Sequence, residues 1–179
     1  MAKPRDNRHR LAKSVWLLGL LVFAAPALTG WAILGLGHYK GCVPSAAACD
    51  GLPALGLLFK QALDLAWIFG LNAVALILLT GIVALAAIQA RSPGRAFAGV
   101  FGGPTAALFL PILLVTSALY PGCRIDEGGA SCQFWGVAMG NSFSTAAVAP
   151  WMAYIIPPVG FAAALAVMLI AFIVKRQRV

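Results

Sequence analysis

The sequence predicts an all-α integral membrane protein. Four transmembrane helices are built as two parallel hairpin repeats, each with a disulfide-stapled outer cap. Three observations lead there. Apolar residues make up 61% of the chain and charged residues only 10%, against about 25% charge in a soluble domain. Four segments, 15–37, 66–89, 96–120 and 151–174, contain no Lys, Arg, Asp or Glu. Each reaches the roughly 20 residues that a bilayer-spanning helix needs. Finally, the first and third segments run into the same motif, Tyr39-Lys40-Gly41-Cys42 and Tyr120-Pro121-Gly122-Cys123.

The charges set a direction. The net charge of +8 does not indicate nucleic acid, because ten of the thirteen basic residues flank the same ends of the four segments. Lys3, Arg5, Arg8, Arg10, Lys13, Arg91, Arg95, Lys175, Arg176 and Arg178 lie on one side; Lys40, Lys60 and Arg124 lie on the other with four acids. Basic residues accumulate in cytoplasmic segments, so both termini and the 91–95 turn are expected inside and both caps outside.

Taken in order, residues 1–13 form a basic, mobile head that sets topology and can meet anionic lipid. The first span carries Ala25-Pro26-Ala27 after a short apolar stretch, which resembles a cleavable signal peptide. The apolar run continues to Gly37, however, so an uncut anchor is expected. In the first cap Cys42 and Cys49 are close in sequence. Residues 52–66 then place Lys60, Gln61 and Asp64 on one helical face and Leu55, Phe59, Ala62 and Ala66 opposite, an amphipathic pattern. A helix lying along the outer interface is expected there, water-facing at Lys60 and Asp64 and bending near Trp67–Gly70 into the second span.

The turn at 91–95 holds Pro93 and Gly94, which stop a helix, so the second and third spans should pack as antiparallel neighbours. The second cap pairs Cys123 with Cys132, and 133–150 is less regular, with Asn141, Ser142 and Thr145 on one side. Trp67 and Trp151 fit the headgroup level. Val22-Phe23-Ala24-Ala25-Pro26 and Val100-Phe101-Gly102-Gly103-Pro104 extend the likeness of the halves inward. The expectation is a single four-span domain over 1–179, with repeats at about 14–90 and 96–174, related by an axis along the membrane normal.

Residues able to carry chemistry are few. All four cysteines lie on the oxidising side, where disulfides persist; Cys42–Cys49 and Cys123–Cys132 is the simplest of three pairings. Each staple is worth roughly 2–3 kcal/mol by loop closure. Four spans with two outward cysteine pairs resemble, in outline, membrane enzymes that reoxidise a periplasmic thiol donor with quinone. That resemblance implies thiol–disulfide exchange, but the Cys-x-x-Cys such enzymes use is absent here. A reactive thiol would be Cys123, whose neighbour Arg124 favours thiolate. No metal is expected, because neither cap has ligands at zinc spacing. No haem is expected either, since His9 and His38 lie at the ends of the first span.

Within the spans Asn72 is the most polar residue, a candidate for an interhelical hydrogen bond or a pore lining. Gly99 and Gly103 give the spacing used for close helix approach in lipid, with alanines at 84, 86, 87 and 90 expected opposite. Pro26, Pro111 and the pair Pro157-Pro158 should kink three spans.

The expected function is a non-catalytic accessory or scaffold subunit of a larger membrane complex, without cofactor. Its partners would be the lipid bilayer and other membrane subunits or itself, and no nucleic acid. A bacterial cytoplasmic membrane suits its small size. A quinone-linked thiol–disulfide oxidoreductase and a small oligomeric channel or transporter are the alternatives.

Overall fold

The computed structural model describes residues 4–123 and 132–177. It is all-helical, with 79% helix in six helices: α1 Pro4–Tyr39, α2 Leu55–Leu71, α3 Ala73–Gln89, α4 Pro93–Ala118, α5 Gly140–Ala153 and α6 Ile156–Arg176. Between α4 and α5 lies a small antiparallel hairpin, β1 Gln133–Phe134 and β2 Val137–Ala138. Helices α1, α4 and α6 are long and apolar enough to cross a membrane, and α2 with α3 make a fourth span if the bent pair counts as one. Their outward faces are apolar, with Leu17, Leu18, Ile77, Leu78, Leu113 and Leu169 all exposed. This is consistent with a multi-pass membrane protein.

Helix α4 is the centre of the bundle, touching α1, α2, α3, α5 and α6. Small residues make that possible. A side chain at Gly99 would strike Val83 of α3 and lie 3.4 Å from the Trp16 indole nitrogen of α1, and one at Gly103 would lie 2.7 Å from the Phe23 ring. The two glycines therefore seat neighbours within the chain. Alanines of α3 do face α4 beside those glycines: Ala84 packs with Val100 and Ala164, and Ala87 with Ala96 and Ala171, so the same contacts also take in α6. The α3–α4 turn is tight, as the Pro and Gly there suggest. Arg91 occupies the left-handed region at φ 53, and its N–H donates to Ile88 O at 2.9 Å.

Prolines act through the carbonyls they release. Pro104 and Pro111 lie inside α4, and each lacks the N–H that would bond the carbonyl four residues earlier, at Val100 and Ala107. Glycines of neighbouring helices cover both. Gly70 of α2 sits so close to the Ala107 oxygen that a Cβ would collide with it, and a Cβ at Gly160 would lie 3.9 Å from the Val100 oxygen. Pro26 is likewise inside α1. Pro157 and Pro158 do not kink a span, because they fall in the first turn of α6, where a missing N–H costs nothing.

Several expectations are corrected. The basic head is helical over its described part: α1 begins at Pro4, and Ala12 is buried. At 36 residues α1 is about 54 Å long by helical rise, well beyond a roughly 30 Å hydrocarbon core. The second span is not one helix. The interfacial helix and the first turn of that span fuse into α2, and the bend, 75°, falls at Asn72 rather than near Trp67–Gly70. The fourth span starts at Ile156, after a separate α5, rather than at Trp151.

Contacts give the depth of the break. Gly70 meets Ala107, which shares a cluster with Phe23 and Val83 and stands near the middle of α4. The end of the bundle that carries the two disulfides is therefore built from α1, α2, α4 and α5, and the opposite end from α1, α3, α4 and α6.

Candidate functional site

The sequence features that could carry function gather at the disulfide-bearing end of the bundle, and the chain builds that end in steps. Helix α1 stops in a left-handed glycine, Gly41 at φ 71; Cys42 N–H reaches back to Gly37 O at 2.9 Å and Gly41 N–H to His38 O at 2.9 Å, the usual glycine stop. Cys42 is disulfide-bonded to Cys49, with Cα atoms 5.6 Å apart. In the second cap, Cys123 N–H closes a turn on Tyr120 O at 2.9 Å. Cys123 is bonded to Cys132 with Cα atoms 4.7 Å apart. Arg124, expected to activate Cys123, lies outside the described residues.

The two caps are not separate. The β1–β2 hairpin turns at Trp135 and Gly136, whose φ values of 47 and 78 are both positive, as a type I′ turn requires. Its tip inserts into the first cap. Trp135 N–H donates to Pro44 O at 2.9 Å. Gly136 lies against the Ala47 carbonyl, where a Cβ would collide, and Gly56 of α2 lies in the same way against the Phe134 carbonyl. The Trp135 ring covers Gly37, 2.6 Å from where a Cβ would stand. One apolar core thus contains Cys49, Cys123 and Cys132 together with Leu55, Phe59 and Leu114.

Phe134 is the hub of this core. It stacks on Phe59 at 5.1 Å and meets Tyr120, Trp135 and Phe143 at 5.4–5.8 Å, the offset and edge-on geometries that aromatic rings favour. Tyr120 donates its hydroxyl to Gln133 O at 2.8 Å, tying the end of α4 to the hairpin. Trp31 of α1 donates to Ser117 Oγ of α4 at 2.9 Å. The first bond links the second cap to α4, and the second joins α1 to α4 beneath the caps.

The α2 face was partly legible. Leu55, Phe59, Ala62 and Ala66 are buried as expected and Gln61 is exposed. Lys60 and Asp64, expected in water, are only half-exposed, because Asp64 accepts a hydrogen bond from Ser142 Oγ of α5. Trp67, expected at the headgroup level, is packed inside the protein. It is buried on the inner face of α2, one turn beyond Leu63, while Trp151 is 74% exposed. Trp67 and Trp135 both bury an indole N–H with no partner among the described residues.

Asn72 is exposed at the α2–α3 break. Its backbone is extended, and its Oδ1 accepts from Ala75 N–H at 3.0 Å, so it caps α3. That bond is within the chain's own second span, not between helices.

Chemically, the sulfurs of the site are occupied by one another. Among the described residues no free cysteine occurs and no three His, Cys, Asp or Glu side chains converge. Sequence reasoning missed the hairpin, although Phe134-Trp135-Gly136-Val137 alternates around a glycine. Tryptophan is not a turn residue by propensity, and packing against the first cap overrides that. No family model, curated protein or solved structure matches this chain.

Proposed function

We propose that the chain is a non-catalytic accessory or scaffold subunit of a larger complex in a bacterial cytoplasmic membrane. Its termini lie in the cytoplasm and its joined caps form a rigid outer platform. One observation carries this reading. Three of the four cysteines are at most 8% exposed and lie inside the core that unites the caps. Thiol–disulfide exchange needs an attacking thiolate to reach a sulfur, and burial opposes that approach. The same bonds suit a staple, which restrains a loop and holds a surface in shape.

The distribution of basic residues supports the orientation. The two halves also share an order of elements: long helix, cysteine-closed loop, shorter helix, break, final helix. That order supports reading them as parallel repeats, the second having gained a hairpin that the first receives. Asn72 satisfies the start of α3, which favours a structural role over a pore lining.

The test is purification of the tagged chain from its native membrane in mild detergent. The reading expects a stoichiometric membrane partner, lost from variants with a loosened cap (Trp135→Ala, or Cys42→Ser with Cys49→Ser) that still insert. Recovery of the chain alone, or of a partner held equally by those variants, contradicts it.

A further inference from the structure

At the inner end of the bundle, the start of α1, the α3–α4 turn and the end of α6 enclose a groove of about 620 Å³. Arg8, His9, Gln89 and Arg91 supply its polar side, and Leu11, Ile88 and Val174 its apolar side. We propose that this groove binds the headgroup of an anionic phospholipid, with the two guanidiniums on the phosphate and the apolar strip along the upper acyl chains. The proposal rests on the membrane reading given above.

Four observations carry it. First, Arg8 is not on a loose tail: α1 is helical from Pro4 and Ala12 is buried, so the helix holds Arg8 beside the α3–α4 turn. Second, Arg8 and Arg91 have no carboxylate partner among the described residues, whereas Arg95 nearby lies 5.7 Å from the Trp16 ring centroid. Two uncompensated guanidiniums sharing one concave site call for an anion, and the guanidinium fork matches phosphate oxygens.

Third, Arg91 stands at a left-handed position, φ 53, where glycine is the usual residue. The turn itself thus fixes the direction in which the Arg91 side chain leaves the backbone. Fourth, the walls are half apolar. A soluble phosphate gains nothing from Leu11, Ile88 and Val174, but a lipid bearing acyl chains does. Basic pockets between helices on the cytoplasmic side are a known lipid-headgroup arrangement.

The test uses the full chain, delipidated in detergent and titrated with phosphatidylglycerol or phosphatidylcholine, with bound lipid counted by native mass spectrometry. Wild type should hold one phosphatidylglycerol well above the phosphatidylcholine background. Arg8→Gln with Arg91→Gln should weaken it by about 5-fold per arginine removed. The charge-matched control Lys13→Gln with Lys175→Gln should retain most of it.

Equal loss in the control would mean diffuse attraction and overturn the site. So would unchanged retention in the arginine variant, or displacement by millimolar inorganic phosphate, which would make it a soluble-anion site. Alkaline carbonate extraction of the same membranes separates the two readings. A chain that washes off removes the membrane reading and this proposal with it; a chain that stays but shows no lipid preference removes the proposal alone.

Discussion

Removing the Trp135 side chain tests whether the two caps are one body. Trp135 is 4% exposed, covers Gly37, and meets Phe59 at 6.2 Å and Phe134 at 5.8 Å. Truncating a buried tryptophan to alanine costs about 3–5 kcal/mol. Against this, its indole N–H is buried without a partner among the described residues. Deleting that group relieves a penalty of about 1–3 kcal/mol.

The central values leave a net loss of about 2 kcal/mol for Trp135→Ala. At roughly 2–4 °C per kcal/mol for a chain of this size, Tm in detergent should fall by about 4–8 °C. Trp135→Phe keeps an aromatic ring over Gly37 and discards the unpaired N–H, so it should remain within about 1 kcal/mol of wild type. Both substitutions carry the same left-handed backbone, so that strain cancels between them. Coupling gives the sharper assay. If the hairpin tip rests on the first cap, Trp135→Ala and the pair Cys42→Ser with Cys49→Ser should depart from additivity by about 0.5–3 kcal/mol. Strict additivity, or a Trp135→Ala protein melting within 1–2 °C of wild type on the same scale, would refute the joined cap.

Three further outcomes are expected. Alkaline phosphatase fused after Val179 should be inactive and inserted near Ala130 active; the reverse pattern would end the topology argument. Asn72→Ala should lose about 1 kcal/mol as a missing cap while Asn72→Ser or Asn72→Asp retains most stability, measured as Tm; equal loss in all three would mean the cap is not what Asn72 provides. Asp64→Ala should lower stability by about 1–2 kcal/mol and couple to Ser142→Ala, as a hydrogen bond to a charged group does; independent effects in a double-mutant cycle would remove that α2–α5 link.

The spans were legible because they depend on length and the absence of charge, both local properties of sequence. Cysteine pairing was legible for a similar reason, since short gaps leave little choice. What could not be read were features decided by contacts across the chain. The break at Asn72 needs both the close approach of Gly70 to Ala107 and a side chain able to cap α3. Hydropathy sees neither, so the bend was expected near Trp67–Gly70 rather than at Asn72. Lys60 and Asp64 looked like a wet face because nothing local announces Ser142, 78 residues beyond Asp64. Trp67 and Trp151 looked alike as membrane-interface residues, yet one faces the core and the other does not. The hairpin was hidden because its turn residue is a tryptophan, held by a partner surface more than eighty residues earlier. The candidate site was therefore visible as four cysteines but not as one joined structure.

The measurement that bears most directly on the scaffold reading is alkylation of the native protein in its own membrane, followed by mass analysis. The account predicts that no cysteine reacts until the protein is both unfolded and reduced, with Cys42 linked to Cys49 and Cys123 to Cys132 throughout. Rapid labelling of Cys123 in the folded protein, prevented when a quinone first reoxidises the thiol pair, would contradict it and make the chain a thiol oxidoreductase.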